Sequence, residues 1–233
     1  MGETKDSAAL AVPFGSFSQI LADNAERLRS QPALRDEHGE VSWAALADRV
    51  ERIAARLLEC GLERGQSVAI LGTSSVAYAL VFLAAVRAGG VAAPLTTSAT
   101  AAQLAGMAED SGARHIFIDR AKLSELGDAC FPDMTRIVLD EELDGWMAPQ
   151  GTSTPMVEHR PADPFNIIYS SGTTGTPKAL SIRMQCVGGS SPRPQQAGST
   201  MDWPCAAWLR PPSIRTPPWS PSSPRCWLAA RCV

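Results

Sequence analysis

Histidine is scarce in this chain. His38, His115 and His159 are the three among 233 residues, and they stand far apart. Each reads as a surface or packing residue, so no histidine-built metal site is expected. Of six cysteines only Cys60 and Cys130 precede residue 180, and no C-x-x-C pair occurs. That argues against a zinc site or a disulfide framework. The longest apolar run, Val76 to Val86, is too short to span a bilayer. No basic-plus-apolar leader opens the chain, which makes a cytoplasmic location the expectation. No internal repeat is present. Basic residues form no run, so nucleic acid is not an expected partner.

Charge is unevenly spread. Residues 1–180 hold 15 Lys/Arg against 23 Asp/Glu, whereas residues 181–233 hold six Arg and a single acid, Asp202. The hydrophobic content of 45% suits a globular core.

What is present, up to about residue 140, is an alternation of strand and helix signals. Phe17 to Leu28 places Phe17, Ile20, Leu21, Ala25 and Leu28 on one helical face. Ala33-Leu34-Arg35 and Glu40-Val41 read as short strands around a turn at Asp36 to Gly39. Ser42 caps a helix from Trp43 to Glu59, with Leu46, Val50, Ile53, Ala54, Leu57 and Leu58 as its buried stripe. Glu51 and Arg52 read as solvated charges. Strands follow at Val68–Leu71, Val91–Ala93, His115–Ile118 and Ile137–Leu139. Helices fall at Val76–Ala88, Ala101–Ser111 and Lys122–Leu126. This order predicts an α/β fold, a mostly parallel sheet with helices on both faces.

The strongest chemical signal is Ile167-Ile168-Tyr169-Ser170-Ser171-Gly172-Thr173-Thr174-Gly175-Thr176-Pro177-Lys178. An apolar strand runs into glycines and hydroxyl residues closed by a lysine. Glycine lets backbone N–H groups approach an anion, the hydroxyls donate to phosphate oxygens, and lysine adds a point charge. The Walker pattern is absent, because Gly175 is not followed by Lys and Ser/Thr.

From Ser170 to Lys178 this run resembles the signature loop of the adenylate-forming superfamily, [ST]-[ST]-G-[ST]-T-G-x-P-K-G. That superfamily contains acyl-CoA synthetases, luciferases and the adenylation domains of peptide synthetases. Ala179 stands where the last glycine is expected. Gly61 to Ile70 and Ala88 to Leu95 resemble two further segments of the family in the same order. The resemblance implies a truncated AMP-binding N-terminal domain over residues 15–178, preceded by a flexible terminus over 1–14. It implies that Ser170, Ser171, Gly172, Thr173, Thr174, Gly175, Thr176, Pro177 and Lys178 bind nucleotide phosphate. It also implies ATP and Mg²⁺ as cofactors, with a small carboxylate and coenzyme A as substrates. No catalytic residue and no metal ligand is assigned, since the family's later motifs have no counterpart here. Neither fatty nor aromatic carboxylates are singled out.

Past Lys178 the family pattern stops. Residues 181–233 hold nine of the 18 prolines and four of the six tryptophans, with no apolar period. This predicts an irregular tail over 179–233. Loss of one base after the Lys178 codon would account for it: codons exist that restore an apolar–Ser–His string over Ala179 to Gly188 and a Pro–Leu–Tyr core over Leu209 to Ser220. On that reading the chain is an inactive ligase by ancestry, with exposed apolar surface where the later strands are missing. The alternatives are a non-catalytic phosphate-binding fragment and an interaction protein with a Pro-rich tail.

Overall fold

The computed structural model describes residues 17–127, 130–170 and 178–184. The expectations for residues 1–14, for 171–177 and for the tail beyond Met184 fall outside these described residues.

The chain starts with α1 (Phe17–Arg27), β1 (Pro32–Arg35), β2 (Glu40–Ser42) and α2 (Trp43–Glu59). β1 and β2 pair as an antiparallel hairpin. Asp36 closes its turn: Oδ1 accepts from the N–H groups of His38 and Gly39 at 2.9 and 3.0 Å, as an Asx turn does. Oδ2 accepts from the Val76 N–H at 2.9 Å and so ties the hairpin to the next layer. Burial alone would raise the Asp36 carboxyl, but the N–H groups of Val76, His38 and Gly39 outweigh it and hold it below its ordinary value. Ser42 caps α2, its Oγ accepting from Ala45 N–H at 3.3 Å. Leu46, Val50, Ile53, Ala54 and Leu57 are buried on one stripe, and Leu58 packs half-buried beside them.

The main sheet is built from β3 (Ser67–Leu71), β4 (Val91–Pro94), β5 (His115–Ile118), β6 (Thr135–Val138), β7 (Pro164–Ser170) and β8 (Lys178–Arg183). Their spatial order is β6-β5-β3-β4-β7-β8. All neighbours are parallel except β7 and β8, which are antiparallel. Strands β3 and β5 are buried on both faces, which is why their sequences are unbroken apolar runs.

Helix α3 (Val76–Arg87) joins β3 to β4, and α4 (Ala101–Ser111) joins β4 to β5. The chain steps one way from β3 to β4 and the other way from β4 to β5. Right-handed crossovers therefore put the two helices on opposite faces. The two cores record this. Val68 and Ile70 pack with Leu80, Val81 and Ala84 of α3 and with the stripe of α2. Ala69 and Leu71, the alternate residues of the same strand, pack with Leu104, Met107 and Ala108 of α4. Helix α5 (Arg120–Leu126) adds Leu123 to the second core. A short α6 (Leu143–Trp146), not anticipated from the sequence, sets Trp146 edge-on against Phe117 at 5.2 Å.

Between α6 and β7 a strap, residues 147–163, crosses over α2 and α3. Arginine side chains hold it by donating to its carbonyls: Arg52 to Ala148 (2.7 Å), Arg87 to Pro155 (3.0 Å) and Thr154 (3.2 Å), and Arg64 to Glu158 (2.8 Å). Arg56 holds its entry through the Trp146 carbonyl at 2.9 Å. Glu51 accepts from Arg87 Nε and Nη2, both at 2.9 Å, and from the Thr154 N–H and hydroxyl at 2.5 and 2.7 Å. Glu51 and Arg52 are thus not the solvated charges expected. Apart from Asp48, one turn before Arg52, their partners lie far along the chain and are invisible to a local reading.

Strand β8 runs to Arg183 and is followed by a buried Met184. Among the described residues, Met156 and Leu180 are the large apolar side chains left exposed.

Candidate nucleotide-phosphate site

Strand β7 is parallel to β4, so it ends at the same sheet edge as Leu71, Pro94, Ile118 and Val138. In open α/β sheets, ligands bind outside the carboxyl ends of the strands. Ser170, the last residue of β7, is the ladder partner of Lys178, the first residue of β8. Antiparallel partners have Cα atoms about 4.5–5.5 Å apart. The backbones of Ser170 and Lys178 therefore lie side by side at this edge. Of the predicted phosphate-binding residues, the backbones of Ser170 and Lys178 are brought together. Ser171, Gly172, Thr173, Thr174, Gly175, Thr176 and Pro177 lie outside the described residues.

Tyr169 anchors the strand just before this point. Its hydroxyl lies 2.9 Å from the Met107 carbonyl and 3.0 Å from Asp110 Oδ2, its one proton shared between two acceptors on α4. Burial raises the Tyr169 pKa, and the hydrogen bond and charge of Asp110 raise it further. Nothing in the local sequence marked this anchor. An aromatic residue closing an apolar strand was the one available signal.

Neighbouring loops at the same edge are pinned by their own polar contacts. Asp119 Oδ2 accepts from Thr73 N–H at 2.9 Å, while Oδ1 caps α5 through Lys122 N–H at 2.8 Å. A side chain at Gly72 would meet Asp119 Oδ2 at 3.1 Å and Leu139 Cδ1 at 3.3 Å, so both would have to give way slightly. Ser75 caps α3 through Tyr78 N–H at 3.1 Å. Among the described residues no group of three or more His, Cys, Asp or Glu side chains comes together that could hold a metal ion. No helix among them is long and apolar enough to cross a membrane.

The tyrosines set an alkaline limit. Burial pushes the Tyr78 hydroxyl up to about 12, and Tyr169 shifts the same way. Unfolded tyrosine titrates near pH 10, so the fold favours the neutral rings. Their contribution is intact below about pH 10 and is lost as pH rises through the folded values. Urea midpoints are expected to fall from about pH 10 upward, and the Tyr78→Phe, Tyr169→Phe double variant is expected to flatten that fall.

A mostly parallel sheet with helices packed on both faces defines a three-layered α/β domain. The chain belongs to the AMP-binding enzyme family, whose pattern it matches over residues 21–186. It is 30% identical over 177 residues to tyrocidine synthase 2 of Brevibacillus parabrevis, covering 76% of this chain and 5% of that protein. It is 28% identical over 193 residues to the L-proline–[L-prolyl-carrier protein] ligase of Pseudomonas fluorescens, covering 81% of this chain and 37% of the ligase. Among solved structures, the anthranilate CoA ligase AuaEII in complex with anthranoyl-AMP superposes with a TM-score of 0.66 at 21% identity, over 75% of this chain and 35% of that one. The N-terminal subdomain of NpsA from Klebsiella oxytoca gives 0.64 at 21% identity, over 75% and 43%. The chain thus spans well under half the length of each of these proteins. The matched span runs through β8.

Proposed function

We propose that this chain carries the phosphate-binding part of an ATP-dependent adenylate-forming ligase. Ser170 to Thr174 would hold the β- and γ-phosphates, and Lys178 would be the nearby cation. The observation that supports this most directly is positional. The signature run starts and ends on paired residues at the carboxyl edge of the sheet, inside the family-matched span.

In the reaction a carboxylate attacks the α-phosphate of ATP and releases pyrophosphate, leaving an acyl-adenylate. Two anions have to meet, so oriented N–H, hydroxyl and ammonium donors contribute most to lowering the barrier. The donor set of 170–178 fits a polyphosphate: hydroxyls, glycine N–H groups without a Cβ in the way, and one lysine. The described residues supply no acidic cage for Mg²⁺, which would instead arrive on the phosphate oxygens, as is common for this ion. A thiol then takes the acyl group. Coenzyme A is our first reading for it and a carrier protein the second, since one relative is named for a carrier-protein reaction. The enzyme would act in the cytoplasm on a small carboxylate. We further propose that one base was lost after the Lys178 codon, so that the residues that follow replace the ligase's own continuation.

Calorimetric titration of the chain with ATP, and separately with pyrophosphate, tests the phosphate site. Saturable binding is expected, weakened roughly tenfold (about 1.4 kcal/mol) by Thr174→Ala or by Lys178→Ala. Binding that neither substitution alters would remove residues 170–178 from the site.

A further inference from the structure

The strap over α2 and α3 contains a buried histidine that the proposed function does not use. His159 is 7% exposed, and its Nε2 is buried with no hydrogen-bond partner. Charged groups bear on it from three sides. Arg64 comes from the α2–β3 turn and Arg87 from the end of α3, both unfavourable to a second ring proton; Asp163, the last residue of the strap, favours it. Burial is the largest influence and holds the His159 pKa below the usual histidine value of 6.5. Asp163 is kept below its own ordinary value, chiefly by the Arg160 N–H and also by Arg64, so it stays an anion through mildly acid pH.

The geometry explains what acid would do. A second proton would create an N–H at Nε2 with no acceptor, beside two guanidinium groups. The ring can accept that proton only by leaving its site. The strap is irregular; its ends are fixed by the buried Met147 and Ala148 and by the Met184 N–H bond to the Asp163 carbonyl. Between them it is attached to α3 and the α2–β3 turn mainly by side-chain bonds to its carbonyls, so that middle part can open without breaking a ladder. His115 offers a contrast. It too is buried with an unpartnered nitrogen, Nδ1, but it sits in β5 between β3 and β6. Its release would require opening the sheet.

We propose that His159 is an acid-operated latch: uptake of a second proton frees the strap locally between Ala148 and Asp163 while the six-stranded sheet stays folded. The sign follows from the depressed pKa. The neutral ring's contribution is complete above pH 6.5 and is lost as pH falls through the folded value. The strap also delivers Asp163, whose Oδ2 accepts from Arg64 Nη2 at 2.7 Å and whose carbonyl accepts from Met184 N–H at 2.9 Å. The latch therefore grips the base of the β7–β8 hairpin.

Amide exchange of the full chain, read as protection factors at pH 7.5 and 5.0, tests this. Protection over residues 149–162 is expected to fall about tenfold or more, while β3 and β5 change less than about twofold. His159→Gln should abolish the pH-dependent loss, and His115→Gln should retain it. The wild-type comparison decides the matter alone if either variant fails to fold. Equal loss in strap and sheet, a strap unaffected by acid, or a His159→Gln chain that still opens at pH 5.0 would each overturn the latch.

Discussion

Replacing Arg87 with alanine is expected to destabilise this protein by about 3–5 kcal/mol, the range for removing one partner of a buried ion pair. Arg87 is 7% exposed. Its guanidinium meets both Glu51 oxygens and the carbonyls of Thr154 and Pro155. Alanine would leave the Glu51 carboxylate, whose side chain is 22% exposed, without its counter-charge and with only the Thr154 N–H and hydroxyl as donors. It would also strip two strap carbonyls of their donor. Replacing a buried pair with apolar residues is often harmless, but here the backbone of the strap depends on the pair, so Glu51→Leu with Arg87→Met should not restore stability. The check is a urea series with a double-mutant cycle on Glu51→Ala and Arg87→Ala. A coupling of more than about 1 kcal/mol is expected for groups in one network. A loss below about 1 kcal/mol for Arg87→Ala would mean that the strap is held by its other contacts.

The second large effect is on activity. The 233-residue chain is expected to give no carboxylate-dependent ATP–pyrophosphate exchange. A phosphate cradle alone binds ground state and transition state similarly, and uniform binding does not accelerate chemistry. With one base restored after the Lys178 codon, and the downstream frame read through, exchange is expected to appear. Thr174→Ala and Lys178→Ala should each weaken it in the restored protein. Exchange by the 233-residue chain itself would show that the reading frame is not at fault. A restored frame encoding none of the family's later motifs would be equally decisive against the lost base.

The elements with strong local signals were readable from the chain. Helix α4 and strand β5 fall on their expected residues, Ala101–Ser111 and His115–Ile118. α2 follows its serine cap from Trp43 to Glu59. Caps and apolar periods act over a few residues, so they survive in a linear reading. The resemblance of Ser170 to Lys178 likewise pointed to the family without any coordinates. The crossover from β4 over β3 to β5, the β7–β8 pairing and the route of the strap were not readable. They depend on which strand lies beside which and on contacts such as Thr154 with Glu51, 103 residues apart. Glu51 and Arg52 looked like ordinary helix-surface charges because Arg87 of α3 and the strap, which bury them, are brought in only by the fold. Tyr169 and His159 gained their roles in the same way, one by reaching α4 and the other by being enclosed beside Arg64 and Arg87. Local composition thus decided where helices and strands form and what chemistry the loop can offer. Burial and long-range hydrogen bonding decided which charges are structural, because desolvation makes an unpaired polar group costly only once the fold has excluded water from it.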